Sequence, residues 1–526
     1  MIPAMHSRFA ARYALFALFA ISASVSQAEV ALPPFFSDHM VLQRESKAPI
    51  WGTAAPGEEV TVQFRDQTLK TTADAAGKWR VELKGLEAGG PDELTIAGKN
   101  AIKLTDVLVG EVWVGSGQSN MAGLVRMYVG NDPILAQIAA TAYPTIRGCT
   151  AKTGWTVSSP AANANFSAIL FAFAVRLQEG INVPVGMMLG AVGGTPSGAW
   201  ISNERFNEDA ACQALVVEYA KTFDKQVADF HERVLPVWKK GAEAAKAAGN
   251  QVGRTPLPPA PPGTINGKDP GYLYKVHIRP LVGYGMRGVL WDQGESGTAI
   301  GGVDQYRMMG ALIRGWRADW QAGEFAFLYV QKPSGGGCAW DLNNPVTNKG
   351  EKFQLLTEAQ LSKTVDGPTL DGSTVETHVR IMTYPNTGMV ISSDLGGMTH
   401  PVNKSGYGAR AAALARGMTY REPVEYYGPI YKSHAVEGDK VRIQFTHVGK
   451  GLAAGHSDKL QGFIIAAADK TFYWADAVID GDSVVVSSPK VAKPAAVRYG
   501  WSVRRPWVNL FNQDGLPATS FRTDPC

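Results

Sequence analysis

The chain has 526 residues, of which 45% are hydrophobic, 10% aromatic and 19% charged; that is apolar material for several cores of roughly 150 residues each and too much for global disorder. Its 51 Lys and Arg against 47 Asp and Glu leave a formal charge of +4, too small a surplus for the concentrated basic surface that phosphate tracking needs, so nucleic acid is excluded as a ligand class. The 57 Gly and 31 Pro favour many turns and β-structure.

Residues 1–28 read as an export signal. Arg8 and Arg12 form a positive n-region, Tyr13 to Val25 is an apolar run, and Ser26-Gln27-Ala28 offers a small-x-small cleavage site. The run is shorter than the ~20 residues a spanning helix needs, and no later run reaches that length. Cleavage after Ala28 predicts a mature chain near a charge of about +2, without a stable membrane anchor, periplasmic or secreted. Cys149, Cys212, Cys338 and Cys526 then lie in a disulfide-permissive compartment, where they allow three full pairings. No CxxC or Cys/His cluster marks a metal site.

Residues 29–105 read as an N-terminal β-sandwich. Val60 to Phe64 and Trp79 to Leu83 alternate with period two, Thr68 to Thr72 is β-prone, and Ala55-Pro56-Gly57 and Asp74 to Gly77 are turn chemistry. At Val107 to Gly115 the pattern becomes a mostly apolar run, which fits a strand buried on both faces of a helix-covered parallel sheet. Val183 to Leu189, Gly288 to Trp291, Phe325 to Val330 and Met389 to Ile391 are further such strands, with helices at Ala168 to Glu179 and Tyr306 to Trp316. Residues 106–418 are therefore expected to form an α/β layered domain. It is interrupted at about 204–270 by a helical, Ala/Lys/Glu-rich stretch and the Pro-rich connector Thr255 to Gly263. Period-two strands return at Lys440 to Phe445, Gly462 to Ala466 and Ser483 to Ser487, the last entered through the Asp480-Gly481-Asp482 turn. Residues 419–526 thus read as a C-terminal β-sandwich.

Four polar loops follow buried strands of the α/β domain, where ligands bind in open sheets. Gly115 to Met121 presents Ser119, a candidate nucleophile whose own amide can face an oxyanion, with Asn120 beside it. Gly193-Gly194-Thr195 can bring further backbone amides close. Trp291 to Ser296 carries Gln293, an amide donor suited to an oxyanion, and Glu295, an acid suited to holding the loop by hydrogen bonds. Ser393 to Pro401 holds Asp394 and His400, as an orienting carboxylate and its base. His39, His434, His447 and His456 fall in the β-regions, and His277 and His378 lie outside any comparable Asp-Gly-rich loop, so His400 leads.

Together these residues carry a resemblance to the sialate O-acetylesterase family, a carbohydrate-esterase branch of the SGNH (GDSL-like) hydrolases. The matching segments span the mature chain: Phe36 to Arg44, Gly110 to Trp113, Gly117 to Met121, Gly193 to Thr195, Trp291 to Ser296, Asp394 to Gly396, His400 to Lys404, Gly408 to Arg410, Gly515 to Ala518 and Phe521 to Asp524. The resemblance implies an SGNH-like three-layer α/β domain flanked by β-sandwiches, with no cofactor or metal. It implies Ser119 as nucleophile, His400 as base, and oxyanion donors from Ser119, Gly193 or Gly194, and Gln293. The sequence departs from the family before the histidine, where Gly397, Met398 and Thr399 stand in place of an acidic residue. The third catalytic group is therefore Asp394 first, Glu295 second, or absent in a Ser-His dyad. Asp292 stands where an aromatic is common, and Ser296-Gly297 replaces Ser-Asn, which points to an altered substrate pocket.

The resulting expectation is an exported serine esterase that deacetylates acetylated oligo- or polysaccharides, either plant cell-wall glycans or sialic acids. The alternative from a different class is a non-catalytic carbohydrate-binding protein on a degenerate hydrolase core.

Overall fold

A computed structural model describes residues 29–365 and 370–525. The expected export signal and Cys526 lie outside the described residues.

The spine of the molecule is one long strand, Ala101–Gly117, buried without interruption from Val107 onward. Such a run is stable only with both faces covered. Across the central sheet the order is Thr387–Val390, Ala326–Val330, Gly288–Asp292, Ala101–Gly117, Val185–Ala191, Ile146–Thr150 and Thr153–Val157. All neighbours are parallel except the last pair, which is antiparallel. On one face the helix Ala168–Ile181 packs Leu170 over Gly115 and Phe173 edge-on to Trp113. On the other, Trp291 meets Trp316 of the helix Gln305–Trp320. The result is the expected three-layer α/β core with antiparallel sheets at either end.

Two features differ from the sequence reading. The first, at residue 105/106, falls inside the spine strand, whose start pairs antiparallel with Gly89–Ala97. The N-terminal strands share one continuous apolar core with the α/β layer, so residues 29–105 are not a separately cored sandwich. Asp106 is the reason the sequence looks broken there. It sits at φ 55° within the strand, held by Arg147 (2.8 and 3.2 Å) and His39 (2.7 Å). Nearby, Glu111 is fully buried and accepts from Arg44 (2.5 Å), Gln43 (3.0 Å) and Arg287 (2.7 and 2.9 Å). This cluster ties the Gln43-Arg44 segment to the spine.

The second difference is another excursion from the α/β layer after Val330, beyond the one at 204–270. Gly337 bridges Arg505, Cys338 bridges Glu351 and Thr364 bridges Tyr473, so this segment packs on the C-terminal strands. Those strands form two four-stranded antiparallel sheets around their own core, which includes Ile443, Phe463, Val484 and Tyr499. As expected, the 204–270 stretch begins as a run of helices, Asn203–Glu208, Ala210–Ala220, Phe223–Asp229 and Leu235–Ala247. Its last helix buries no side chain. Cys149, Cys212 and Cys338 are buried and unpaired, so no disulfide joins any two of them. Among the described residues no helix is long and apolar enough to cross a membrane.

Candidate active site

The carboxyl ends of the central parallel strands converge on one edge of the sheet, as the topology of an open α/β sheet requires of a site. The spine strand ends at Gly117, where the backbone turns at φ 128° and a Cβ would lie 2.1 Å from the Asp292 carbonyl oxygen. Only glycine passes there. The turn delivers Ser119 to the first position of a short helix, Ser119–Ala122, where its amide has no intrahelical acceptor.

The sequence placed Ser119 and His400 on loops 281 residues apart, and the fold brings them together: His400 Nε2 lies 2.9 Å from Ser119 Oγ. A hydroxyl that donates to an imidazole nitrogen at this distance has the geometry of an activated nucleophile. Nε2 accepts only in the tautomer protonated on Nδ1. Gly193 closes the third side, where a Cβ would stand 3.5 Å from Ser119 Cβ, and Gly194 beside it adopts φ 71°. Its amide and that of Ser119 are thus near the serine. Ser119 is half-buried, while His400, Gly193 and Gly194 are exposed, so the pair sits at an open surface. Met398, two residues before the histidine, is 79% exposed and held at φ 94°, a strained conformation for a side chain of its size.

Two of the expected roles are corrected. Asp394 does not orient His400. It is fully buried, and Arg410 grips both its oxygens at 2.9 and 3.3 Å from the helix Lys404–Leu414. Among the described residues no carboxylate hydrogen-bonds His400, whose bond to Ser119 is its only one. Gln293 is not a free oxyanion donor either. Its amide nitrogen donates to the carbonyls of Gly297 (2.9 Å) and Thr195 (3.4 Å), and its oxygen accepts from Gln305 (3.2 Å). It braces the Gly-Gly-Thr loop against the Gln-Gly-Glu loop, so the backbone amides remain the available donors.

Glu295 holds the serine turn from behind. It accepts from Gln118 Nε2 (2.7 Å) and Asn120 Nδ2 (3.1 Å), the two residues flanking Ser119. This is the loop-holding role read from sequence, and not that of an orienting acid. Asn120 also donates to the Thr399 carbonyl (3.0 Å) and accepts from Lys404 Nζ (2.6 Å).

Behind this layer lies a buried charge cluster that the sequence reading missed. Lys332 Nζ is 2.6 Å from Asp292 Oδ1 and 2.7 Å from Glu295 Oε1. The Asp292 contact is an ion pair without hydrogen-bond alignment, since neither Asp292 oxygen has a hydrogen-bond partner. Burial works against charge on Lys332, but the two carboxylates outweigh it and its pKa rises. Burial raises the Asp292 pKa, with Lys332 opposing. Burial and then Lys332 push the His378 pKa down to about 3, which keeps that histidine neutral, its Nδ1 accepting from the Lys332 amide at 3.3 Å. The available signal was positional, a charged residue two positions after the end of an apolar strand, as Lys332 follows Ala326–Val330. Among the described residues no group of three or more His, Cys, Asp or Glu is gathered as a metal site.

No family model matches the chain. Curated relatives do. A sialate O-acetylesterase of Rattus norvegicus is 26% identical over 92% of this chain and 91% of its own length. That of Homo sapiens is 26% identical over 78% and 76%. Among solved structures, a carbohydrate acetylesterase from Xanthomonas citri superposes with a TM-score of 0.71 at 29% identity, covering 94% of this chain and all of that one. In sequence and fold the chain is similar to sialate O-acetylesterases and to a carbohydrate acetylesterase. The agreement runs nearly end to end in both sequence and fold, so it takes in the α/β core and its flanking β-regions.

Proposed function

We propose that the protein is an exported serine esterase that removes O-acetyl groups from carbohydrates through an acetyl-enzyme. The observation that carries this reading is the 2.9 Å contact between Ser119 Oγ and His400 Nε2 at the mouth of the sheet; the activities of the sialate O-acetylesterases and the carbohydrate acetylesterase that the chain resembles give it the acetyl group and the carbohydrate. Ser119 Oγ attacks the acetyl carbonyl carbon as its proton passes to His400. The tetrahedral oxyanion is held by the Ser119 and Gly193 amides, with Gly194 adjoining. Collapse breaks the bond to the sugar oxygen, which takes the proton from His400. Water then attacks the acetyl-enzyme, losing a proton to His400, and acetate leaves as Ser119 recovers its hydrogen. The imidazole acts without a carboxylate partner, as a dyad.

Export rests on the n-region, apolar run and Ser-Gln-Ala site of residues 1–28, and places the enzyme in the periplasm or outside the cell. An acetylated plant polymer is favoured over a sialoside by the altered Ser296-Gly297 loop and by the open setting of the Ser-His pair; Asp292, expected to alter the pocket, is fully buried and takes no part in it. The test is acetate release from acetylated xylans, xyloglucan oligosaccharides and O-acetyl sialosides. Release is expected from the plant glycans first; a protein that binds these glycans and releases acetate from none of them would instead be a carbohydrate-binding protein.

A further inference from the structure

Among the described residues no carboxylate orients His400, yet its ring nitrogen meets Ser119 at hydrogen-bonding distance. Its position must be set through its backbone. The residue before it, Thr399, has its carbonyl held by Asn120 Nδ2 at 3.0 Å, and Asn120 is the residue after Ser119. One amide side chain thus joins the nucleophile turn to the base loop.

An amide can perform that task only in one of its two orientations. With Nδ2 toward Thr399, both its hydrogens are used, one on the Thr399 carbonyl and one on Glu295 Oε1. Flipped, it would set its oxygen against two acceptors. What fixes the orientation on the far side is Lys404, whose ammonium donates to Asn120 Oδ1 at 2.6 Å and could not face an amide NH2. Lys404 is 1% exposed and lies at the start of the helix Lys404–Leu414, whose Asn403 caps it by accepting from the Gly406 amide at 3.0 Å. Its next residue, Ser405, donates to Asp132 through both its amide and its hydroxyl (2.8 and 2.7 Å), so the lysine's stem is rigidly placed.

We propose that Lys404 is a positioning residue that, through Asn120, holds the Thr399–His400 backbone against Ser119 and so takes over the orienting task of the missing carboxylate. The proposal rests on the esterase reading of this site. Its physical cost supports it. The ammonium lies over the Tyr128 ring at 4.6 Å, and its only hydrogen bond among the described residues goes to the neutral Asn120. Burial pushes its pKa down to about 7; Asp292 resists this, Lys332 adds to it, and Glu295 and Asp132 resist. An apolar side chain of similar volume at such a place commonly stabilises a protein, so a lysine there is not explained by packing.

The test is a double-mutant cycle with Lys404→Met, Asn120→Ala and the double variant, read by kcat and KM on 4-nitrophenyl acetate and by thermal melting. Misplacement of a reacting group by about 1 Å costs ~10²-fold. Each single variant is therefore expected to lose 10- to 100-fold in kcat, with KM little changed and Lys404→Met melting no lower than wild type. The double variant is expected to be no slower than the slower single, because both act on one contact. Wild-type kcat in folded Lys404→Met, or losses that multiply in the double variant, would overturn the proposal. Should Lys404→Met fail to fold, Asn120→Ala decides: it keeps the ammonium, and wild-type kcat in it overturns the clamp. Ser119→Ala is the control; hydrolysis at the wild-type rate in that variant would overturn the esterase reading itself and not the clamp alone.

Discussion

Asp394→Asn separates a triad from a dyad. In a serine hydrolase whose histidine leans on a carboxylate, the isosteric amide lowers kcat by about four orders of magnitude because it supports the wrong tautomer. Here both Asp394 oxygens are bound by Arg410, at 2.9 and 3.3 Å, and both side chains are buried. The substitution leaves the guanidinium buried without a counter-charge, and removal of one partner of such a pair costs about 3–5 kcal/mol. For a cooperative unit of about 150–250 residues, where each kcal/mol moves Tm by ~2–4 °C, the expected drop is about 6–20 °C. Activity in the folded fraction, measured well below the new Tm, should stay within about tenfold of wild type, or about 1.4 kcal/mol in the barrier. A variant with unchanged Tm and a kcat reduced a thousandfold or more would refute the dyad and return Asp394 to the triad.

Gln293→Ala strips the donor from two loop carbonyls, Thr195 and Gly297. It should destabilise by about 1–3 kcal/mol, with kcat falling less than the ~10²–10³-fold that follows loss of an oxyanion donor; melting and kcat on one preparation check this. Burial works to raise the Glu111 pKa, but Arg287, Arg44 and Gln43 outweigh it and hold the carboxyl low. The stability it contributes is therefore complete above its unfolded pKa, about 4.3, and is lost as pH falls through the lower folded pKa. Glu111→Gln should cost about 3–5 kcal/mol at neutral pH and flatten that acid limb in a Tm-against-pH series. Natively expressed protein should begin at Glu29 by mass spectrometry, and full-length chain recovered from membranes would contradict export.

The parts of the site that could be read from sequence are those carried by local pattern. Each apolar run marked a buried strand, and the Gly-rich polar residues after it marked the sheet mouth, which is how Ser119, His400 and Gly193 were found. Glu295 was legible as a loop-holding acid for the same reason. What failed to show was pairing at a distance. Asp394 and His400 are six residues apart and look like partners, but Arg410 reaches back from a helix to claim the carboxylate. Gln293 has an amide suited to an oxyanion, and only the fold reveals two carbonyls already bound to it. Lys404 and Asn120, separated by 284 residues, carry no shared sequence signal. The domain boundary at 105/106 failed because Asp106 interrupts the apolar pattern with a kink that the strand runs through.

The central claim is that Ser119 Oγ becomes acetylated. Rapid acid quench of the enzyme during turnover of 4-nitrophenyl acetate, followed by peptide mass spectrometry, tests it directly. The account predicts an acetyl group on the peptide that contains Ser119, formed in a burst before steady-state acetate release, and absent together with turnover in folded Ser119→Ala. Sustained acetate release by Ser119→Ala, with no acetylated Ser119 in the wild-type enzyme, would contradict it.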